Sequence, residues 1–110
     1  MFWTRDDMSY LAGLFDGEGC VYTATHKGGR DGAHWYKKVR MIISNTDKGV
    51  IDWLCSQYGG YVQVQKKDNP KHKTGYNWWL EGDKAKQLLM TIYPLCIIKQ
   101  KAIQKHLNFT

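Results

Sequence analysis

The chain is poor in most features that assign a protein to a class at first sight. It has 2 prolines and 3 cysteines in 110 residues. Cys20, Cys55 and Cys96 are an odd count with no CxxC spacing. This argues against a disulfide framework and a zinc site, and it fits a reducing compartment. His26, His34, His72 and His106 form no HExxH or similar ligand pair, so no transition-metal site is expected. Acidic residues are scarce, 10 against 16 basic, for a net charge of +6 at pH 7. That balance suggests a polyanionic partner without requiring one. No apolar run approaches the length of a membrane span, and Met1-Phe2-Trp3-Thr4-Arg5-Asp6-Asp7 is too polar for a secretion signal. An intracellular protein with no membrane partner is therefore expected, its host compartment unspecified. The length predicts one domain over residues 1–110, which buries roughly 60–70% of its unfolded surface.

Within this frame one stretch stands out, Leu11-Ala12-Gly13-Leu14-Phe15-Asp16-Gly17-Glu18-Gly19. A helix from about Asp6 to Gly17, capped by Thr4, has two faces. Met8, Leu11, Leu14 and Phe15 form a buried stripe. Ser9, Ala12, Gly13 and Asp16 form a mostly small one, which lets a second helix approach closer than the usual ~8–10 Å. Two carboxylates, Asp16 and Glu18, close the helix at the end that favours cations.

Two β-prone runs follow, Cys20 to about Lys27 and Trp35 to Ser44, joined by Gly28-Gly29-Arg30-Asp31-Gly32. They should pair as an antiparallel hairpin. Asn45-Thr46-Asp47 signals a second helix, stopped by Gly59-Gly60. A second hairpin is expected from Tyr61–Lys67 and Tyr76–Leu80, with Val62 and Val64 on its apolar side. Glu81-Gly82-Asp83 opens a third helix, and Pro94 suits the first turn of a fourth that runs to about Leu107. The order is α-β-β-α-β-β-α-α, an α+β domain.

The polar side of the hairpins would carry Tyr22, His26, Lys38, Arg40, Ser44, Gln63, Gln65, Lys67 and Asn77, with exposed Trp79 and the Arg30 loop beside it. Asn, Gln, Arg and Lys are the side chains that read base edges or hold phosphates. A merely solvated sheet face has the same composition. In the fourth helix, Leu95, Ile98, Ala102, Ile103 and His106 define an inner stripe with Lys99 in its middle. Such a lysine must snorkel, pair with a carboxylate or serve a site. His106 reads as a satisfied core histidine.

Leu11 to Gly19 resembles the signature nonapeptide of the LAGLIDADG homing endonucleases, with Glu18 where Asp is usual. Ser44-Asn45-Thr46-Asp47-Lys48, the Tyr76/Trp78/Leu80/Gly82 pattern and Tyr93-Pro94-Leu95 through Lys99 and Ala102 extend the likeness over nearly the whole chain. Leu95 and Cys96 depart from the usual residues. The resemblance implies an αββαββα fold, a saddle-shaped antiparallel sheet with helices on its convex face. It implies a Mg²⁺-dependent site-specific endonuclease, with Mn²⁺ as substitute, acting on double-stranded DNA as a homodimer through the first helix. Glu18 and the carbonyl of Gly17 would bind metal. Asp47 would order water, and Lys99 would act near the scissile phosphate. Ser9, Ala12, Gly13 and Asp16 would lie at the dimer interface. A cleavage-deficient DNA-binding regulator or an intron RNA maturase is the alternative on the same scaffold.

Overall fold

The computed structural model describes residues 4–28, 32, 34–65 and 74–107. Helix α1 (Arg5–Glu18) leads directly into strands β1 (Gly19–Gly28) and β2 (His34–Asn45). Then come α2 (Lys48–Tyr58), β3 (Tyr61–Gln65), β4 (Gly75–Glu81) and α3 (Asp83–Ile92). A 3₁₀ turn (Tyr93–Leu95) and α4 (Gln100–Leu107) complete the order. The result is the expected α+β arrangement, αββαββα with one further helix.

Local chemistry explains the boundaries. Thr4 Oγ1 accepts the Asp7 N–H at 3.0 Å and starts α1. Asp47 does the same for α2, accepting from Val50 N–H at 3.2 Å. Helix α2 stops at Gly59 and Gly60, whose φ values of 75° and 97° strain any other residue. A Cβ on Gly60 would also stand 2.6 Å from the Trp79 carbonyl oxygen. Gly19 is needed for space: a side chain there would run into the Phe15 ring.

The sheet has four antiparallel strands in the order β1-β2-β4-β3. Its odd-numbered β1 and β2 residues, Val21, Val39, Met41 and Ile43, face the helices with Trp78 and Leu80 of β4, and all are buried. Met8, Leu11 and Phe15 of α1 fill the same core, with Leu14 at its margin. Trp78 is fully buried, and its indole N–H donates to the Gly59 carbonyl at 2.8 Å, so its polar edge is satisfied.

Three expectations need correction. Helix α4 does not begin at Pro94: the proline lies in the 3₁₀ turn, Cys96 is extended and buried, and the helix starts at Gln100. Leu95 and Ile98 are therefore exposed, leaving Ile103 as the buried member of the proposed inner stripe. Lys99 precedes the helix instead of sitting within it. The apolar side of β3 is not covered, with Val62 and Val64 both exposed on this five-residue edge strand. Ala12 is 1% exposed and turned into its own core, so it is not on an outer helix face. His106 is half-buried with Nδ1 2.9 Å from Thr23 Oγ1, the satisfied histidine expected.

Candidate functional site

The outward side of α1 runs through Asp6, Ser9, Tyr10, Gly13 and Gly17, all exposed. A Cβ on Gly13 or Gly17 would meet nothing within 4 Å. The open stripe is therefore shifted about one residue from the sequence reading: Ser9 and Gly13 stay on it and Ala12 leaves it.

Asp16 explains why an acid sits at the C-terminal end of α1. Its carboxylate accepts three backbone N–H groups, from Ile97 at 2.6 Å, Ile98 at 3.1 Å and Lys99 at 3.0 Å. These donors lie just before α4, where helix N–H groups lack partners of their own. Burial alone would raise the Asp16 pKa, but the three donors outweigh it and hold the carboxyl below its ordinary value. Cys96 lies alongside, its thiol directed at the Ala12 carbonyl and pushed up to about 12 by burial and by the Asp16 charge. Asp16, grouped by sequence with interface residues, is thus used within the chain. It pins the backbone of Lys99 to the last turn of α1, two residues from Glu18.

Glu18 is exposed and has no hydrogen bond or ion pair among the described residues. It lines a cleft with Ser44, Asn45, Thr46, Gln65, Gly75, Tyr76 and Asn77. The structure thereby brings Glu18 together with three side chains expected to contact nucleic acid: Ser44, Gln65 and Asn77. It does not bring Asp47 into this cleft. The Asp47 carboxylate caps α2 and borders a separate depression with Asp6, Asp7, Tyr10, Val50 and Trp53. Among the described residues no three His, Cys, Asp or Glu side chains are grouped to hold a metal ion.

The strand register puts the proposed reading residues on the side of the sheet away from the helices. Tyr22 is opposite Arg40, Ser44 opposite Asn77, and Asn77 opposite Gln63. His26 pairs with Tyr36, and Lys38 and Gln65 fall on the same side by alternation. Arg30 and Lys67 lie outside the described residues.

This face is already organised internally. The Ser44 hydroxyl donates to Asn77 Oδ1 at 2.5 Å. Tyr61 stacks on Trp79 with ring centroids 4.5 Å apart. The Arg40 guanidinium sits 4.4 Å from the Trp79 ring and 5.7 Å from the Tyr22 ring. A row Tyr61–Trp79–Arg40–Tyr22 thus crosses all four strands, and Trp79 is half-buried within it instead of standing free.

Sequence reading missed Glu81. Placed at the start of the third helix, it is in fact the last residue of β4, opposite Arg40. Continuing the alternation Asn77, Trp79, Glu81 would have found it. Its carboxylate takes hydrogen bonds from Arg40 Nε at 2.9 Å and from Arg40 Nη2. His26 Nε2 is 3.2 Å away and Lys38 Nζ 3.8 Å. Burial would raise the Glu81 pKa, but Arg40 and His26 overcome it and keep it below the ordinary value. The same hydrogen bonds push Arg40 up.

No family model and no curated protein matches the chain. Solved structures do. The homing endonuclease I-CvuI, in complex with a DNA target in the presence of 2 mM Mg and with the DNA not cleaved, matches with a TM-score of 0.70. Identity is 15%, over 94% of this chain and 65% of that one. The homing endonuclease I-TnaI matches with a TM-score of 0.62 and 21% identity over 96% of this chain and 69% of that one. The LAGLIDADG meganuclease I-AabMI, bound to uncleaved DNA, gives 0.62 and 17% identity over 89% of this chain and 35% of that one. The chain spans slightly less than two thirds of the I-CvuI chain. It has the LAGLIDADG homing-endonuclease fold.

Proposed function

We propose that the chain is a site-specific DNA endonuclease of the kind used in intron homing. It acts as a homodimer and cuts a long, near-palindromic duplex by divalent-metal-assisted hydrolysis. The observation that carries this reading is Glu18, an uncommitted carboxylate in a cleft that opens onto the ordered polar face of the sheet.

The lining of the cleft fits a hard cation. It offers carboxylate, hydroxyl and amide oxygens, with no thiol or imidazole. Mg²⁺ takes one or two carboxylates and fills its remaining positions with water and substrate phosphate. Glu18 and the Gly17 carbonyl would hold it, and Mn²⁺ would substitute. One carboxylate per chain is too few for a closed cage, which favours a site completed by DNA and a second copy. When bound, the ion supplies Lewis acidity and an acidified water.

The chain's own residues do the rest. Lys99, tethered through its backbone to Asp16, would carry its positive charge to the scissile phosphate and stabilise the charge that builds there. The open Ser9–Gly13–Gly17 stripe lets two α1 helices cross closely. Exposed Leu95, Ile97 and Ile98, the last two held by Asp16, offer further apolar area for a partner copy. Crossing α1 helices bring the two Glu18 carboxylates near each other. At ~4 Å and an effective dielectric of ~20 they repel by about 4 kcal/mol, a cost that bound cations and DNA reverse. The two open sheet faces lie in major grooves flanking the cut.

The capping role of Asp47 and its place outside the Glu18 cleft favour a second reading, binding without cleavage, as in a regulator or a maturase. Incubating the protein with a randomised duplex library and Mg²⁺, then sequencing the cut ends, separates the two. A single recurrent cut site supports the endonuclease. Tight selection of a sequence that is never cut supports the alternative.

A further inference from the structure

An acid at the centre of a surface that meets a polyanion weakens general attraction, so Glu81 calls for a specific use. Its carboxylate is 17% exposed and receives side chains from two strands: His26 of β1, and Lys38 and Arg40 of β2. A guanidinium has five N–H bonds. In Arg40, one on Nε and one on Nη2 go to Glu81, and one on Nη1 goes to the Tyr22 hydroxyl at 3.1 Å. One N–H remains on each terminal nitrogen. The plane is held as well, over Trp79 and Tyr22. Arg40 is therefore held in place by Glu81, Tyr22 and Trp79, with one N–H on each terminal nitrogen left for a ligand.

The geometry points to Glu81 as a specificity-determining residue: it latches Arg40 so that the remaining two donors read a guanine edge in the major groove. Guanine O6 and N7 accept two N–H bonds from one arginine, and that pairing is the commonest specific base contact. Without the latch, Arg40 is free to turn to a phosphate, which carries no sequence information. Glu81 is a positioning residue here, since it acts through Arg40. The inference rests on the DNA-binding reading above and adds to it the residue that sets base preference on this face.

The consequence shows in base preference. Removing any other acid from this face strengthens general attraction to duplex and leaves base preference where it was. Removing the latch strengthens binding to unrelated DNA while sequence preference falls. Glu81→Gln keeps the shape and removes the charge. The test is selection from a randomised duplex library in EDTA, so that nothing is cut, followed by competition titrations at several salt concentrations. For Glu81→Gln the expected results are a guanine preference reduced about fivefold or more at one position of each half-site, and tighter binding to non-target duplex. The salt dependence should steepen by about 0.9 in log–log slope, for the one phosphate that Arg40 gains. In an Arg40→Ala background, Glu81→Gln should cause no further loss of base preference.

Arg40→Lys supplies a second, independent arm that leaves the carboxylate in place. It keeps the charge and loses the fork, so guanine preference should fall with overall affinity nearly kept. An unchanged base profile in both single variants overturns the latch. So does a uniform loss of affinity with discrimination intact. A wild-type protein that prefers no sequence defeats the DNA-reading proposal itself, and the latch with it.

Discussion

Asp16→Ala tests the most closely tied contact between distant parts of the chain. The substitution removes the acceptor for three backbone N–H groups, those of Ile97, Ile98 and Lys99. Hydrogen bonds to a charged acceptor contribute about 1.5–3 kcal/mol each when buried. Here Ile97 and Ile98 are largely exposed, so their amides regain water and most of that figure is not lost. A helix-cap replacement costs about 0.5–2 kcal/mol, and three donors put this one near the upper end, about 2 kcal/mol. With an unfolding entropy of about 2.1 cal/mol/K per residue, that lowers the Tm by roughly 9 °C. Thermal and urea melts followed by circular dichroism, at one fixed protein concentration, measure it. Amide exchange supplies a local check, since protection at Ile97–Lys99 should fall while that of the β1–β2 core stays. Asp52→Ala is the control. Its ion pair with Lys48 is solvent-exposed, and its loss should leave the melting curve essentially unchanged. If Asp16→Ala melts within ~2 °C of wild type with exchange unchanged, the clamp does not hold the segment and the placement of Lys99 loses its support.

Trp78→Ala should cost about 3–5 kcal/mol in urea unfolding, as it empties a fully buried site and frees the Gly59 carbonyl, whereas Trp35→Ala, at a 66% exposed position, should stay within about 0.5 kcal/mol. A Cβ at Gly13 meets no atom within 4 Å in the single chain, so the fold should tolerate Gly13→Leu, and helix propensity predicts a gain approaching about 1 kcal/mol. The same change should shift sedimentation from dimer to monomer; a persistent dimer would move the interface off this stripe. Glu81 has an ordinary value of 4.5 and is depressed in the folded protein, so its stabilisation is fully present above that value and is lost as pH falls through the lower folded one. The stability gap between wild type and Glu81→Gln should therefore be present above pH 4.5 and shrink as the pH falls below it. A gap that widens in acid would contradict the assigned ion pair.

The elements legible in the sequence were those set by local periodicity. Alternation in β1, β2 and β4 placed Tyr22, Arg40, Ser44 and Asn77 on one side and Val39, Met41 and Trp78 on the other, and the register agrees. Thr4, Asp47, Gly59 and Gly60 marked helix ends by their own chemistry. Features set by distant partners were not legible. Pro94 looked like a helix start because nothing in residues 94–99 announces that Asp16, some eighty positions earlier, takes their N–H groups. The Ala12 and Gly13 pair is ambiguous on a helical wheel, since both are small and about 100° apart, and only the core decides which is inside. Val62 and Val64 alternate as a half-buried strand should, yet burial requires a covering helix, which alternation cannot report. Glu81 was hidden by an adjacent helix signal.

For the candidate site, the motif drew attention to the acids but not to their separate employment. Asp16 holds the segment before α4, Asp47 caps α2, and Glu18 has no partner among the described residues. That division puts the metal-holding role on one carboxylate per chain.

The most direct measurement is Mg²⁺-dependent cleavage of the duplex selected from the randomised library, by wild type and by Glu18→Gln side by side. Glu18→Gln should bind that duplex with comparable affinity and leave it uncut, while wild type produces a double-strand break only when Mg²⁺ or Mn²⁺ is added. Cleavage that persists in Glu18→Gln, or wild-type cleavage in EDTA, would contradict the assignment of Glu18 as the metal-holding residue.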